Sequence, residues 1–132
     1  MNAITPLPLH LAVVGAGPAG LALALLARER LPQARITVFD ARPPEREIAA
    51  DPRTLALSLG SVQLLERLGA WPAAAAQAIT EVQVSQAPPT LAAGPLRAEV
   101  RIRAAEQAVP MLGAVLSYGA LVAPLQAAWQ AA

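Results

Sequence analysis

The chain has 132 residues, a hydrophobic fraction of 55%, a net charge of +1, and ten basic residues that are all arginine. That length is one domain's worth, enough to bury a core but short for a complete cofactor-plus-substrate enzyme, and the near-neutral, scattered charge leaves no footprint for nucleic acid. With no cysteine, a disulfide framework or cysteine metal site is excluded, and with one histidine, His10, a multi-histidine metal site or a Ser-His-Asp triad is not expected, so no metal ligand and no catalytic side chain is assigned.

Residues 1–9 read as a flexible N-terminus, followed by a buried strand over Leu11–Val14 with His10 as a partly exposed strand-end residue. The strand runs into Gly15-Ala16-Gly17-Pro18-Ala19-Gly20. This pattern has a physical logic: Gly15 allows a tight turn, Gly17 lets a pyrophosphate approach the backbone, and Gly20 leaves room where helix and strand pack closest. The first-turn amides of the helix have no carbonyl partners and face an anion with the positive end of the helix dipole behind them. Pro18 suits a first turn because no helix hydrogen bond is sacrificed there. The helix continues through Leu21, Leu23, Leu25 and Leu26 to about Arg30 and stops at Pro32; a second strand, Ile36-Thr-Val-Phe, ends in Asp40. An acidic residue about 20 positions past the last glycine is where a carboxylate accepts from both ribose hydroxyls of an adenine dinucleotide. Leu11 to Ala27 is uncharged, but three glycines and a proline interrupt it and no basic residue precedes it, which argues against a membrane span or an export signal.

Beyond Asp40, the proline-rich, charged stretch Ala41–Pro52 reads as a surface loop. Ser61 is the expected cap of a helix over Val62, Leu64, Leu65 and Leu68, closed by Gly69 with Trp71-Pro72 outside. An alanine-rich connector leads to a half-buried strand over 80–85, in which Val82 and Val84 alternate with polar residues. A turn-rich excursion over 88–95 precedes strict alternation over 96–103, expected to pair antiparallel with 80–85 and to lay one face on a core. Residues 112–117 read as a short strand and 118–131 as a helix, where Pro124 costs about 3 kcal/mol unless it lies near the first turn or at a kink. Arg42 reads as a surface residue.

The string Asp51-Pro-Arg-Thr-Leu-Ala-Leu-Ser-Leu-Gly-Ser61, then Leu64-Leu-Glu-Arg-Leu-Gly-Ala-Trp71, Ile79–Ser85 and Leu112–Leu116, with the glycine fingerprint in front, resembles flavin-dependent aromatic-ring monooxygenases. The nearest likeness is to ubiquinone-biosynthesis hydroxylases of the octaprenyl-methoxyphenol hydroxylase type. The resemblance implies an α/β fold: a Rossmann-like FAD/NAD(P)-binding βαβ start over 10–78, the beginning of a second, antiparallel substrate-domain sheet over 79–116, and a helix over 117–132 returning to the nucleotide domain. It implies FAD as cofactor, with NAD(P)H as electron donor, an aromatic quinone-precursor substrate, and a cytoplasmic setting with peripheral membrane or multi-enzyme association. Gly15, Ala16, Gly17, Pro18, Ala19 and Gly20 correspond to the pyrophosphate turn, Asp40 to the ribose acid, and Arg53 to the arginine that reaches toward the flavin; Ser58, Gly60 and Ser61 are turn and cap. The family also carries later Asp-Gly and Gly-Asp flavin segments, and neither dipeptide occurs in this sequence. The expectation is therefore an N-terminal portion, incomplete relative to the family, without an isoalloxazine pocket or turnover of its own. Two other readings share the glycine turn: an NAD(P)-dependent reductase or dehydrogenase, with no role for Arg53, and a non-catalytic nucleotide-binding or assembly protein.

Overall fold

A computed structural model describes residues 9–43, 46–85 and 99–132. Strand β1 (His10–Val14) and strand β2 (Arg35–Phe39) pair in parallel, Leu11 opposite Ile36 and Val14 opposite Phe39. Parallel neighbours need a crossover, and helix α1 (Pro18–Arg30) supplies it. The uncharged run Leu11–Ala27 is thus divided between a strand, a turn and a helix. Helix α1 buries Leu21, Ala24 and Ala27, one face at helical spacing. It ends as expected just before Pro32, where the Leu31 amide donates to the Ala27 carbonyl at 2.8 Å. No helix among the described residues is long and apolar enough to cross a membrane.

Strand β3 (Thr54–Ser58) follows the loop and passes directly into helix α2 (Leu59–Arg67). Leu55 and Leu57, the half-buried positions of β3, alternate with exposed ones, in a stretch for which no element is predicted. The cap of α2 lies three residues before the expected Ser61. Ser58, in extended backbone at the strand end, accepts from the Ser61 amide at 3.3 Å, so Ser61 lies inside the first turn rather than before it. The other end is closed as expected. The Gly69 amide donates to the Glu66 carbonyl at 3.0 Å and that of Ala70 to the Leu65 carbonyl at 2.9 Å, the paired bonds of a Schellman stop.

The alanine-rich connector contains a second unanticipated strand, β4 (Gln77–Ile79). Next come β5 (Glu81–Ser85), β6 (Glu99–Arg103), β7 (Gly113–Ser117) and helix α3 (Tyr118–Ala131). Strands β3, β7 and β4 form an antiparallel sheet with β7 in the centre, and β5 and β6 form a separate antiparallel pair. The stretch 79–116 therefore feeds two sheets instead of one. Pairing of β5 with β6 follows the expectation, Val82 opposite Ile102 and Val84 opposite Val100. The expected buried face does not: every residue of both strands is exposed, Val84 at 60% and Val100 at 58%. Residues 88–95 and 96–98, also named in the sequence reading, lie outside the described residues.

The core sits where α1, α2, α3 and β7 meet, around Leu21, Leu65, Ala70, Leu116, Leu121, Val122 and Leu125. Pro124 lies inside α3 beyond its first turn, so the mid-helix cost of about 3 kcal/mol applies. Burial of its neighbours Leu121, Val122 and Leu125 opposes that cost. Packing of α3 on α1 brings the start of α3 beside the glycine turn. The architecture is mixed α/β, a parallel βαβ start joined to antiparallel sheet.

Candidate dinucleotide-binding site

The turn between β1 and α1 is built by backbone constraints. Gly15 has φ +104°, a conformation that L side chains rarely adopt, and its amide donates to the Phe39 carbonyl at 2.6 Å. That bond ties the turn to the end of β2. A Cβ at Gly20 would run into the Gly15 carbonyl oxygen and crowd Val13, so α1 approaches β1 more closely than any side chain permits. Gly17 is the N-cap of α1 with no side-chain cap, and Pro18 occupies the first turn. Gly15, Ala16, Gly17 and Pro18 keep partial exposure and Ala19 is exposed.

Asp40, one residue past β2, stands at this turn. Its Oδ2 accepts from the Ala16 amide at 2.6 Å. Arg42 completes the arrangement: its amide and Nε donate to Asp40 Oδ1 at 2.7 and 3.0 Å, and its Nη2 reaches both Asp40 Oδ2, at 3.2 Å, and the Ala16 carbonyl, at 2.8 Å. The Arg42 guanidinium, then the Arg42 and Ala16 amides, hold the Asp40 carboxyl well below the usual carboxylate range. The same contact raises the Arg42 pKa. Sequence reasoning set Arg42 aside as a surface arginine, whereas it bridges the acid to the turn. The available signal was the repeated Asp-x-Arg spacing at 40–42 and 51–53.

Arg53 lies on a different wall. The β3–β7 register pairs Thr54 with Ser117, and the next step of the ladder, the Tyr118 amide donating to the Arg53 carbonyl at 2.5 Å, sets Arg53 against Tyr118. The guanidinium lies 4.4 Å from the ring centroid and forks onto Asp51, with Nη2 to Oδ2 at 2.8 Å and Nε to Oδ1 at 3.0 Å. This pair lowers the Asp51 pKa and raises that of Arg53. The Tyr118 hydroxyl stands 3.4 Å from the point where a Cβ of residue 17 would be. Tyr118 had entered the sequence reading only as the start of a helix.

Two clefts flank the turn. One of about 370 Å³ lies at the carboxyl ends of β1 and β2, lined by Val14, Gly15, Phe39, Asp40 and Ala41. Another, of about 270 Å³, has Ala16, Asp40, Arg42, Arg46 and Gln126 among its walls. The carboxyl ends of parallel strands are where open α/β sheets take ligands. His10, at the other end of β1, is exposed and shares a 2.9 Å hydrogen bond with Thr37, which gives it a strand-end role.

A comparison with curated proteins finds no match to this chain. Residues 13–44 match the family described as NAD(P)-binding Rossmann-like domain, which covers the end of β1, the glycine turn, α1, β2, Asp40 and Arg42. With the parallel β1–β2 pair and the acid at the turn, the chain has a Rossmann-type dinucleotide-binding start, compatible with FAD or NAD(P).

Proposed function

We propose that this chain carries the adenosine and pyrophosphate end of an FAD site, in an N-terminal portion of a flavin-dependent monooxygenase that hydroxylates an aromatic, quinone-precursor-like ring using NAD(P)H and oxygen. In this reading Asp40 receives the ribose hydroxyls in place of the Arg42 guanidinium that now occupies it, the exposed apolar side chains of Val14 and Phe39 flank the adenine, and the amides of Gly17 and Ala19 face the pyrophosphate. Bound flavin would supply the redox chemistry, with the protein contributing position and charge. Arg53 adds a guanidinium near the phosphates, suited to pairing with anionic oxygens.

The observation that carries this reading over the reductase alternative is the stacking of Arg53 on Tyr118, whose hydroxyl abuts Gly17. A site using the βαβ unit alone has no need of an arginine from the Asp51–Ser61 string beside its phosphate turn. Titration of the chain with FAD and with NADH, followed by fluorescence, tests it. Tighter binding of FAD, weakened by Arg53→Ala, is expected. Tighter binding of NADH that ignores Arg53→Ala would transfer the assignment to a nicotinamide-dependent reductase.

A further inference from the structure

We infer that Tyr118 is a phosphate-binding residue: its hydroxyl donates to the dinucleotide pyrophosphate beside Gly17. This rests on the dinucleotide reading above and adds to it a contact from the far end of the chain. Three observations carry it. First, the hydroxyl lies 3.4 Å from the point where a residue-17 Cβ would stand, so it borders the glycine turn where a pyrophosphate is taken up. Second, among the described residues the phenol takes no part in the side-chain hydrogen bonds, and a phenol O–H can donate to a phosphate oxygen. Third, the ring is held. Its backbone amide is bonded to Arg53, the Arg53 guanidinium covers its face at 4.4 Å, and the adjacent Ser117 caps α3 by accepting from the Ala120 amide at 3.2 Å.

The resulting wall has a donor and a cation on one support. A phosphate oxygen on the outer side of the turn, next to the Tyr118 hydroxyl, meets an O–H, while the Arg53 guanidinium stacked on the ring adds positive charge. A donor fixed before the ligand arrives loses little conformational entropy on binding. The glycine at 17 and the tyrosine at 118 are then two halves of one requirement: the first lets the hydroxyl come up to the turn backbone, and the second supplies a donor there.

Tyr118→Phe keeps the ring, the stack with Arg53 and the helix start, and removes only the oxygen. Affinities of the wild-type chain and of this variant for FAD, ADP and adenosine are to be measured by titration, with thermal melting as the check on folding. Hydrogen bonds to charged groups are the strong ones, so the variant is expected to bind FAD and ADP roughly tenfold more weakly, with adenosine affinity and melting unchanged. Unchanged FAD and ADP affinity in Tyr118→Phe would overturn the inference, and tighter binding in Tyr118→Ala would then mark the residue as an obstruction of the turn. A wild-type chain that binds neither FAD nor ADP would sink the dinucleotide reading itself, and this inference with it.

Discussion

Asp40-Ala41-Arg42 and Asp51-Pro52-Arg53 have the same spacing and make the same local pair, yet they occupy different positions at the site. In each, the carboxylate accepts from the arginine backbone amide two residues on and from its guanidinium. The first pair follows a parallel strand and is pulled onto the glycine turn, where Ala16 offers both its amide and its carbonyl. The second precedes an antiparallel strand, and its arginine lies on the tyrosine that the β3–β7 ladder sets opposite. Two residues of spacing dictate the pair, and the strand beside it dictates what the pair serves. In the proposed site one unit presents an acceptor to a sugar and the other a cation to phosphates.

The largest test of that division replaces each acid in turn. Asp40→Asn puts an amide N–H₂ where two acceptor oxygens now face the Ala16 amide and the Arg42 guanidinium, and it removes an acceptor from the ribose. FAD and ADP affinity should fall roughly tenfold or more, as expected when charge-assisted hydrogen bonds are lost. Asp51→Asn should cost no more than about threefold, because Arg53 retains its stack on Tyr118. Isothermal titration of both variants decides the matter. Equal losses would mean that the two units serve the ligand in the same way.

Acid titration sharpens the comparison at lower amplitude. Both carboxyls have folded-state pKa values below the ordinary range, so each contributes stability that is present above the unfolded value near pH 4 and is lost as pH falls through the folded one. The Asp40 depression is the larger because the Ala16 amide adds to the Arg42 contacts, whereas among the described residues the Asp51 carboxyl has hydrogen bonds from Arg53 alone. Carbon-detected NMR of the side-chain carboxyls should show Asp40 remaining ionised to lower pH than Asp51. Arg42→Ala should move the Asp40 midpoint upward and leave that of Asp51 in place. Exposure keeps the accompanying change in melting temperature small.

How far the fold could be read depended on the range of the forces involved. The glycine turn was legible because its constraints are local: a positive φ at Gly15, a backbone contact at Gly20 and a carboxylate at the end of the next strand all lie within one βαβ unit. The Gly69 stop was legible for the same reason. What failed was non-local. Arg42 looks like a surface arginine until the backbone of Ala16 arrives from elsewhere in the chain. Strand β4 has only three residues and is defined by its ladder with β7 more than by its own pattern. The cap of α2 fell on Ser58 instead of Ser61 because an unassigned strand, β3, runs straight into the helix.

The β5–β6 hairpin shows the same limit from the other side and gives the smallest expected effect. Alternation of Val82 and Val84 with polar residues, and of Val100 and Ile102 with charged ones, correctly announced two strands and their antiparallel partnership. It also announced a buried face, and no described element covers one. Periodicity reports which side chains point the same way and carries no information on whether a surface meets them. The charged face is closed by ion pairs such as Arg103 with Glu81 at 2.8 Å, each worth little in water. Val84→Thr, at a position 60% exposed, should therefore change unfolding free energy by less than about 0.5 kcal/mol. The same substitution at Val122, 1% exposed in the core, buries a hydroxyl and should cost about 1–3 kcal/mol. Urea denaturation of the two variants measures the contrast. A cost at Val84 approaching that at Val122 would mean that this face of the hairpin is packed in solution after all, and that the alternation had reported burial as well as direction.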